Sequence, residues 1–206
     1  MALVDRLNAL LRRVPAWLLY ILGAGYAAWY FWLGLSNQLG PEPINTLLRA
    51  YGLISLKLII AGLAITPLRK WTKINLLKFR RAIGVTAFFF LLAHLAVFAL
   101  LDVQSLSRVW TEVVKRPYVT IGMAGLLLLL PLAVTSNNLS LRKMGGAAWR
   151  KLHKLVYPAA ILGGVHYVWL IKGWQTKPLV YLAIILILLA ARIKWKRNQK
   201  RAQVTA

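Results

Sequence analysis

The chain has 206 residues, 60% of them hydrophobic, with 27 Lys and Arg against 4 Asp and Glu and no Cys. Its mean hydropathy is +0.63, which excludes an ordinary soluble domain and places it in the membrane class. The acids Asp5, Glu42, Asp102 and Glu112 all lie outside the apolar runs, so paired-carboxylate catalysis and acid-rich calcium or magnesium sites lack their ligands. Zero cysteines exclude disulfides, iron–sulfur clusters and thiol catalysis. The net charge of +23 suggests nucleic acid, but the basic residues sit in clusters between apolar runs rather than in one stripe.

Taken in chain order, the sequence predicts six apolar spans. The first covers about 15–35, uncharged, and follows Arg6, Arg12 and Arg13. No small-residue cleavage site follows it cleanly, so it reads as a retained helix rather than a signal peptide. The second covers about 50–68 and carries Lys57, and the third about 82–101 and carries His94. The fourth covers about 118–139 and the fifth about 153–171, the latter holding His153 and His166. The sixth covers about 178–191 and is short for a span, relying on the stem of Lys177 or Arg192 to reach the interface.

Basic residues alternate from side to side. The N-terminal segment, the second-to-third loop, the fourth-to-fifth connection and the C-terminal segment together hold 20 of the 27. By the positive-inside rule this predicts an all-α integral membrane bundle of six helices, a single domain over 1–206, with both termini cytoplasmic. Trp17, Trp29, Trp32, Trp71, Trp110, Trp149, Trp174 and Trp195 fall near span ends and read as an interfacial aromatic belt.

The three histidines are the chain's most informative residues. His94 lies 13 residues past Arg81, and His166 lies 12 past Lys154. At ~1.5 Å rise per residue both imidazoles sit about 18–20 Å from the cytoplasmic edge, on two helices running the same way. Matched depth suits the two axial positions of one non-covalently held haem, whose iron would offset the cost of imidazole in hydrocarbon. Helix–helix hydrogen bonding is the alternative for either residue alone. His153 precedes His166 by 13 residues, so the two cannot share one iron on an ideal helix. It stays open between ligating a second haem, contacting a flavin or quinone, and serving as an interfacial histidine. A zinc site using all three is a further reading, at odds with their depths.

Among other residues, Lys57, Arg49, Lys115 and Arg116 are on the outer side as candidate counter-ions for haem propionates, with snorkelling the alternative for Lys57. Arg80, Arg81, Arg150 and Lys151 are cytoplasmic, serving topology alone or docking a phosphate or an acidic protein. Gly84, Gly122, Gly125, Gly163 and Gly164 lie within spans and read as helix-packing positions, with close approach of a macrocycle the alternative.

Several strings occur together: I-T-P-L-R-K at 65–70, F-R-R-A-I-G at 79–84, A-H-L at 93–95 and K-R-P-Y at 115–118. They are joined by W-R-K-L-H-K-L-V-Y at 149–157 and G-V-H-Y at 164–167. Over about residues 10–195 the chain resembles the MsrQ (YedZ) family of ferric-reductase-like membrane proteins. The resemblance implies six helices, haem b on His94 and His166, and His153 as a third family histidine of less settled role. It also implies FMN as a further cofactor and residence in the bacterial inner membrane. Electrons would come from the quinone pool or a cytosolic flavin reductase and pass to the periplasmic molybdopterin methionine-sulfoxide reductase MsrP. The family subunit is an electron-transfer component without its own catalytic residues. A haem-independent proton-coupled transporter using His94, His166 and Lys57 is the competing expectation, and a purely structural assembly subunit the third.

Overall fold

A computed structural model describes residues 2–171 and 175–204, among which there is no strand. Lys172 and Trp174 of the expected outer loop lie outside the described residues, as does the side chain of Trp195.

The chain opens with α1 (Ala2–Arg13). Leu3, Leu7 and Leu10 recur at helical spacing and stay exposed, so the stripe faces outward rather than into a core. The other side is clipped down: Asn8 donates to the Lys73 carbonyl at 3.2 Å and accepts from the Asn75 amide at 2.9 Å. The Lys78 ammonium adds a bond to the Arg12 carbonyl at 2.8 Å.

Helix α2 (Leu18–Leu35) is apolar all round and buries only Gly23 and Ala27. Its exposed Ile21, Leu22, Trp29 and Trp32 fit a helix bathed in lipid. Helix α3 (Pro43–Thr72) starts on a proline at its first turn and stops at Lys73, whose φ of 64° ends the ladder. At ~1.5 Å per residue it is about 45 Å long, more than the ~30 Å hydrocarbon core requires. After a 3₁₀ turn at Leu77–Phe79, α4 (Arg80–Ala96) runs directly into a π-helical turn over Val97–Asp102, three residues beyond His94. Then come α5 (Leu106–Lys115), α6 (Pro117–Val134) and α7 (Asn138–Leu152), the last interrupted at Gly145, φ 74°. A 3₁₀ turn at His153–Leu155 leads into α8 (Val156–Leu170), and α9 (Thr176–Val204) closes the chain.

By length and composition, four segments can cross a membrane: α2, α3, Leu77–Asp102 and α6. Helix α8 has only 15 residues, and α9 runs on into the basic C-terminal stretch. The expected fourth span is too long by five residues. α6 ends at Val134, and Asn137 caps a new helix by accepting from the Ser140 amide at 2.7 Å. The expected fourth-to-fifth loop is therefore α7, and part of the loop before the fourth span is α5. The fifth expected span begins with the 3₁₀ turn rather than an α-helix.

The tightest associations are α3 with α4 and α6 with α8, with α9 packed on α8 and α3. One core cluster gathers Ala27, Leu47, Tyr51, Phe90 and Val97, and a second gathers Leu56, Leu63, Ala160 and Ile185. Two buried hydroxyls tie helices across the apolar interior. Tyr51 donates to the Ala27 carbonyl at 2.6 Å, and Ser55 to the Ala87 carbonyl at 2.8 Å.

The α8–α9 crossing depends on Gly164, where an added Cβ would meet Leu182 Cδ1 at 2.9 Å and Ile185 Cδ1 at 3.2 Å. At Gly84 the same atom would meet nothing within 4 Å. Gly164→Val should thus destabilise the fold by about 1–3 kcal/mol, while Gly84→Ala should be neutral or slightly stabilising. Thermal unfolding in detergent, followed by helical circular dichroism, checks the contrast.

Candidate functional site

His94 on α4 and His166 on α8 come together with ring centroids 6.3 Å apart and ring planes at 85°. Each imidazole is held in the same way. His94 Nδ1 donates to the Leu48 carbonyl on α3 at 2.8 Å, and His166 Nδ1 donates to the Tyr118 carbonyl on α6 at 2.6 Å. A carbonyl can only accept, so Nδ1 carries the proton, and in the neutral ring Nε2 keeps a free lone pair.

The ring can reach the helix because of a glycine one turn further on. A Cβ at Gly52 would sit 3.0 Å from His94 Nδ1, and one at Gly122 would sit 2.9 Å from His166 Nδ1. Leu48 and Gly52, like Tyr118 and Gly122, are four residues apart, which places carbonyl and bare backbone on one helix face. Two helix pairs thus carry one device, repeated. Tyr118 is itself fixed at the start of α6. Its hydroxyl accepts from Arg116 at 3.1 Å, and Arg116 also pairs with Glu112. Its ring lies 6.2 Å from that of His166.

The donor set suits a metal held by two imidazoles. With metal–nitrogen bonds of roughly 2 Å, two imidazoles on one ion have centroids roughly 6–6.5 Å apart, and the observed spacing falls there. Among the described residues there is no group of three or more His, Cys, Asp or Glu able to hold a bare ion. The expectation of a zinc site built from all three histidines is therefore corrected: His153 stands apart from the other two. A metal between His94 and His166 would have to bring its remaining ligands with it, as the iron of a macrocycle does.

His153 belongs to a different chamber. A cavity of about 750 Å³ opens between α3, α4, α6, α8 and α9, and both His153 and Trp149 line it. Their rings stack with centroids 3.7 Å apart at 24°. His153 Nδ1 donates to the Trp149 carbonyl at 3.0 Å, and Nε2 lies a long 3.4 Å from the Ser136 hydroxyl. Leu58, Ile59, Phe88 and Leu129 make apolar wall, while Lys78, Arg80, Arg81, Arg150, Lys154 and Arg192 also line the cavity. Phe88 and His94 are six residues apart on α4, so cavity wall and imidazole pair are separated by roughly 9 Å along the helix.

Of the other residues singled out from sequence, Lys57 and Arg49 are exposed, and Lys151 is outside the cavity lining. Gly122 does more than pack helices, and Gly125 meets only ordinary contacts with Leu162 and Ala159. Sequence reading missed Gly52, the Leu48 and Tyr118 carbonyls and Arg192. The shared four-residue spacing to a glycine was the available signal, legible only once each helix has a histidine opposite.

The ferric reductase like transmembrane component model matches residues 46–164, which include all three histidines and both glycines. The protein-methionine-sulfoxide reductase heme-binding subunit MsrQ of Brucella anthropi is 42% identical over 190 residues, covering 92% of this chain and 86% of the relative. The subunit of the same name from Brucella ovis is 45% identical over 178 residues, covering 86% and 80%. With matches of this extent, the chain belongs to the ferric-reductase-like transmembrane family and, within it, to the MsrQ group.

Proposed function

We propose that this chain is a membrane electron-transfer subunit that holds a b-type haem between His94 and His166. The observation that carries the reading is the repeated cradle. Two imidazoles at metal-sharing distance are each oriented by a backbone carbonyl and seated on a glycine. A hydrogen bond at Nδ1 orients a ligating histidine and strengthens its Nε2 as a donor. Haem, when bound, supplies a one-electron iron couple, and two axial imidazoles leave it no open position for oxygen chemistry. The surrounding helices exclude water, and the glycines let backbone and ring approach closely.

The relatives are named as subunits of a protein-methionine-sulfoxide reductase. By that likeness, electrons leaving this chain go to the periplasmic reductase MsrP, with the quinone pool or a cytosolic flavin reductase as donor. We place the imidazole pair toward the periplasm and the basic cavity toward the cytoplasm, because lysines and arginines concentrate at the cavity end. With α8 and α9 completing six spans, a single domain in the bacterial inner membrane would have both termini in the cytoplasm. His153 then stands on the entry side, and the FMN implied by the family has room in the cavity, whose volume suits a cofactor-sized ligand.

Purified protein should show the visible bands of reduced haem b. His94→Ala and His166→Ala should each lose most of the haem, measured per chain by pyridine haemochrome, while His153→Ala should keep it. Full haem in both of the first two variants would refute the pair as ligands. Gly52→Ala and Gly122→Ala, which push a methyl against the imidazole, should weaken haem retention by roughly tenfold. Haem transfer to an apo-globin acceptor measures that loss.

A further inference from the structure

The cavity holds a cluster of hydrogen-bond donors without a matching acceptor. Arg192 donates from Nη1 to the Tyr157 hydroxyl at 3.0 Å and from Nη2 to the Leu63 carbonyl at 2.6 Å. Its Nε is buried and has no partner. The Arg80 side chain also bonds the Tyr157 hydroxyl. A phenol oxygen has two lone pairs, so two guanidinium donors occupy both, and the Tyr157 proton is left to give away. The Arg192 guanidinium further rests over the Tyr157 ring at 5.3 Å. No Asp or Glu is among the residues lining the cavity. Two guanidiniums crowd one phenol with no carboxylate to neutralise them, which is costly unless an anion completes the group.

We infer that Arg80, Tyr157 and Arg192 form an anion site for the phosphate of a planar aromatic phosphomonoester of the flavin mononucleotide type, bound in the cavity. The inference rests on the proposal that a flavin occupies this cavity, and adds which residues read its phosphate. Arginine suits the role, since its planar fork gives paired, charge-assisted bonds to phosphate oxygens. The neighbouring Tyr157 hydroxyl and Arg192 Nε supply donors already in place. The stacked Trp149–His153 pair gives the cavity a flat aromatic wall for the ring system. A phospholipid headgroup offers the same phosphate chemistry, but its acyl chains favour the open lipid-facing surfaces rather than a cavity walled by these aromatics.

The test is a fluorescence-quenching titration of the purified full chain in phosphatidylcholine nanodiscs with FMN and, separately, riboflavin. FMN should bind about tenfold or more tightly than riboflavin, as expected of charge-assisted hydrogen bonds, and inorganic phosphate should compete with FMN only. Arg192→Gln and Tyr157→Phe should lower FMN affinity toward that of riboflavin and leave riboflavin unchanged, with haem content reporting that each variant is folded. If the variants lose haem, phosphate competition in the unaltered protein decides. Equal binding of FMN and riboflavin overturns the phosphate site while leaving the flavin cavity standing. Binding of neither flavin overturns both. An FMN preference abolished by phosphatidylglycerol in the nanodiscs assigns the anion site to lipid and overturns the cofactor reading.

Discussion

An imidazole inside an apolar helix bundle has to hand its N–H to something, and that requirement organises this molecule. His94 and His166 each give theirs to a backbone carbonyl on the neighbouring helix. Such a carbonyl lies against the helix barrel, so the ring reaches it only where the next turn has no side chain. Gly52 and Gly122 provide that gap. The α3–α4 and α6–α8 pairs are the tightest in the fold, and the Ser55 bond to Ala87 adds to the first of them. The histidines thereby present Nε2 toward each other from a rigid frame, the preorganisation that a shared metal needs.

The same helices divide their length between two chemistries. Toward one end they are apolar except for the paired imidazoles. Toward the other they surround a cavity lined by six of the chain's basic residues, together with Lys70. Charge in hydrocarbon is expensive, so guanidiniums gather where they can reach water, headgroups or an anionic ligand. His153 falls on that side, stacked on Trp149. A subunit that accepts electrons from a soluble or quinone donor and releases them across the membrane needs two such places in line. The spacing of Phe88 and His94 on α4 keeps them about two helical turns apart.

The elements flanking the bundle show where hydropathy loses its grip. Amphipathic α5 follows the π-helical turn, and α7 breaks at Gly145. Both sit in stretches that a hydropathy reading treats as loops, since their mean polarity is loop-like while their helical periodicity is not. The fourth span ends early because Asn137 captures the Ser140 amide, a local capping bond that the still-apolar sequence around it hides. α1 is likewise held by Asn8, which bonds Lys73 and Asn75 more than sixty residues away.

What the sequence determined on its own is what a bilayer enforces residue by residue. Apolar runs become helices because lipid offers no partner to a free peptide group. Basic clusters mark one side, and two histidines fall at equal depth because helical rise is constant. Tertiary structure alone decided what those histidines touch. Rise fixes depth, but neither the choice of neighbouring helix nor the rotation that turns Gly52 toward His94 and Gly122 toward His166 is encoded locally. The meeting of Arg80, Tyr157 and Arg192 is of the same kind: Arg80 and Arg192 are 112 residues apart in the chain. Their relation exists only once α4, α8 and α9 have packed, because side-chain contact is set by the shapes of facing surfaces and not by order along the chain.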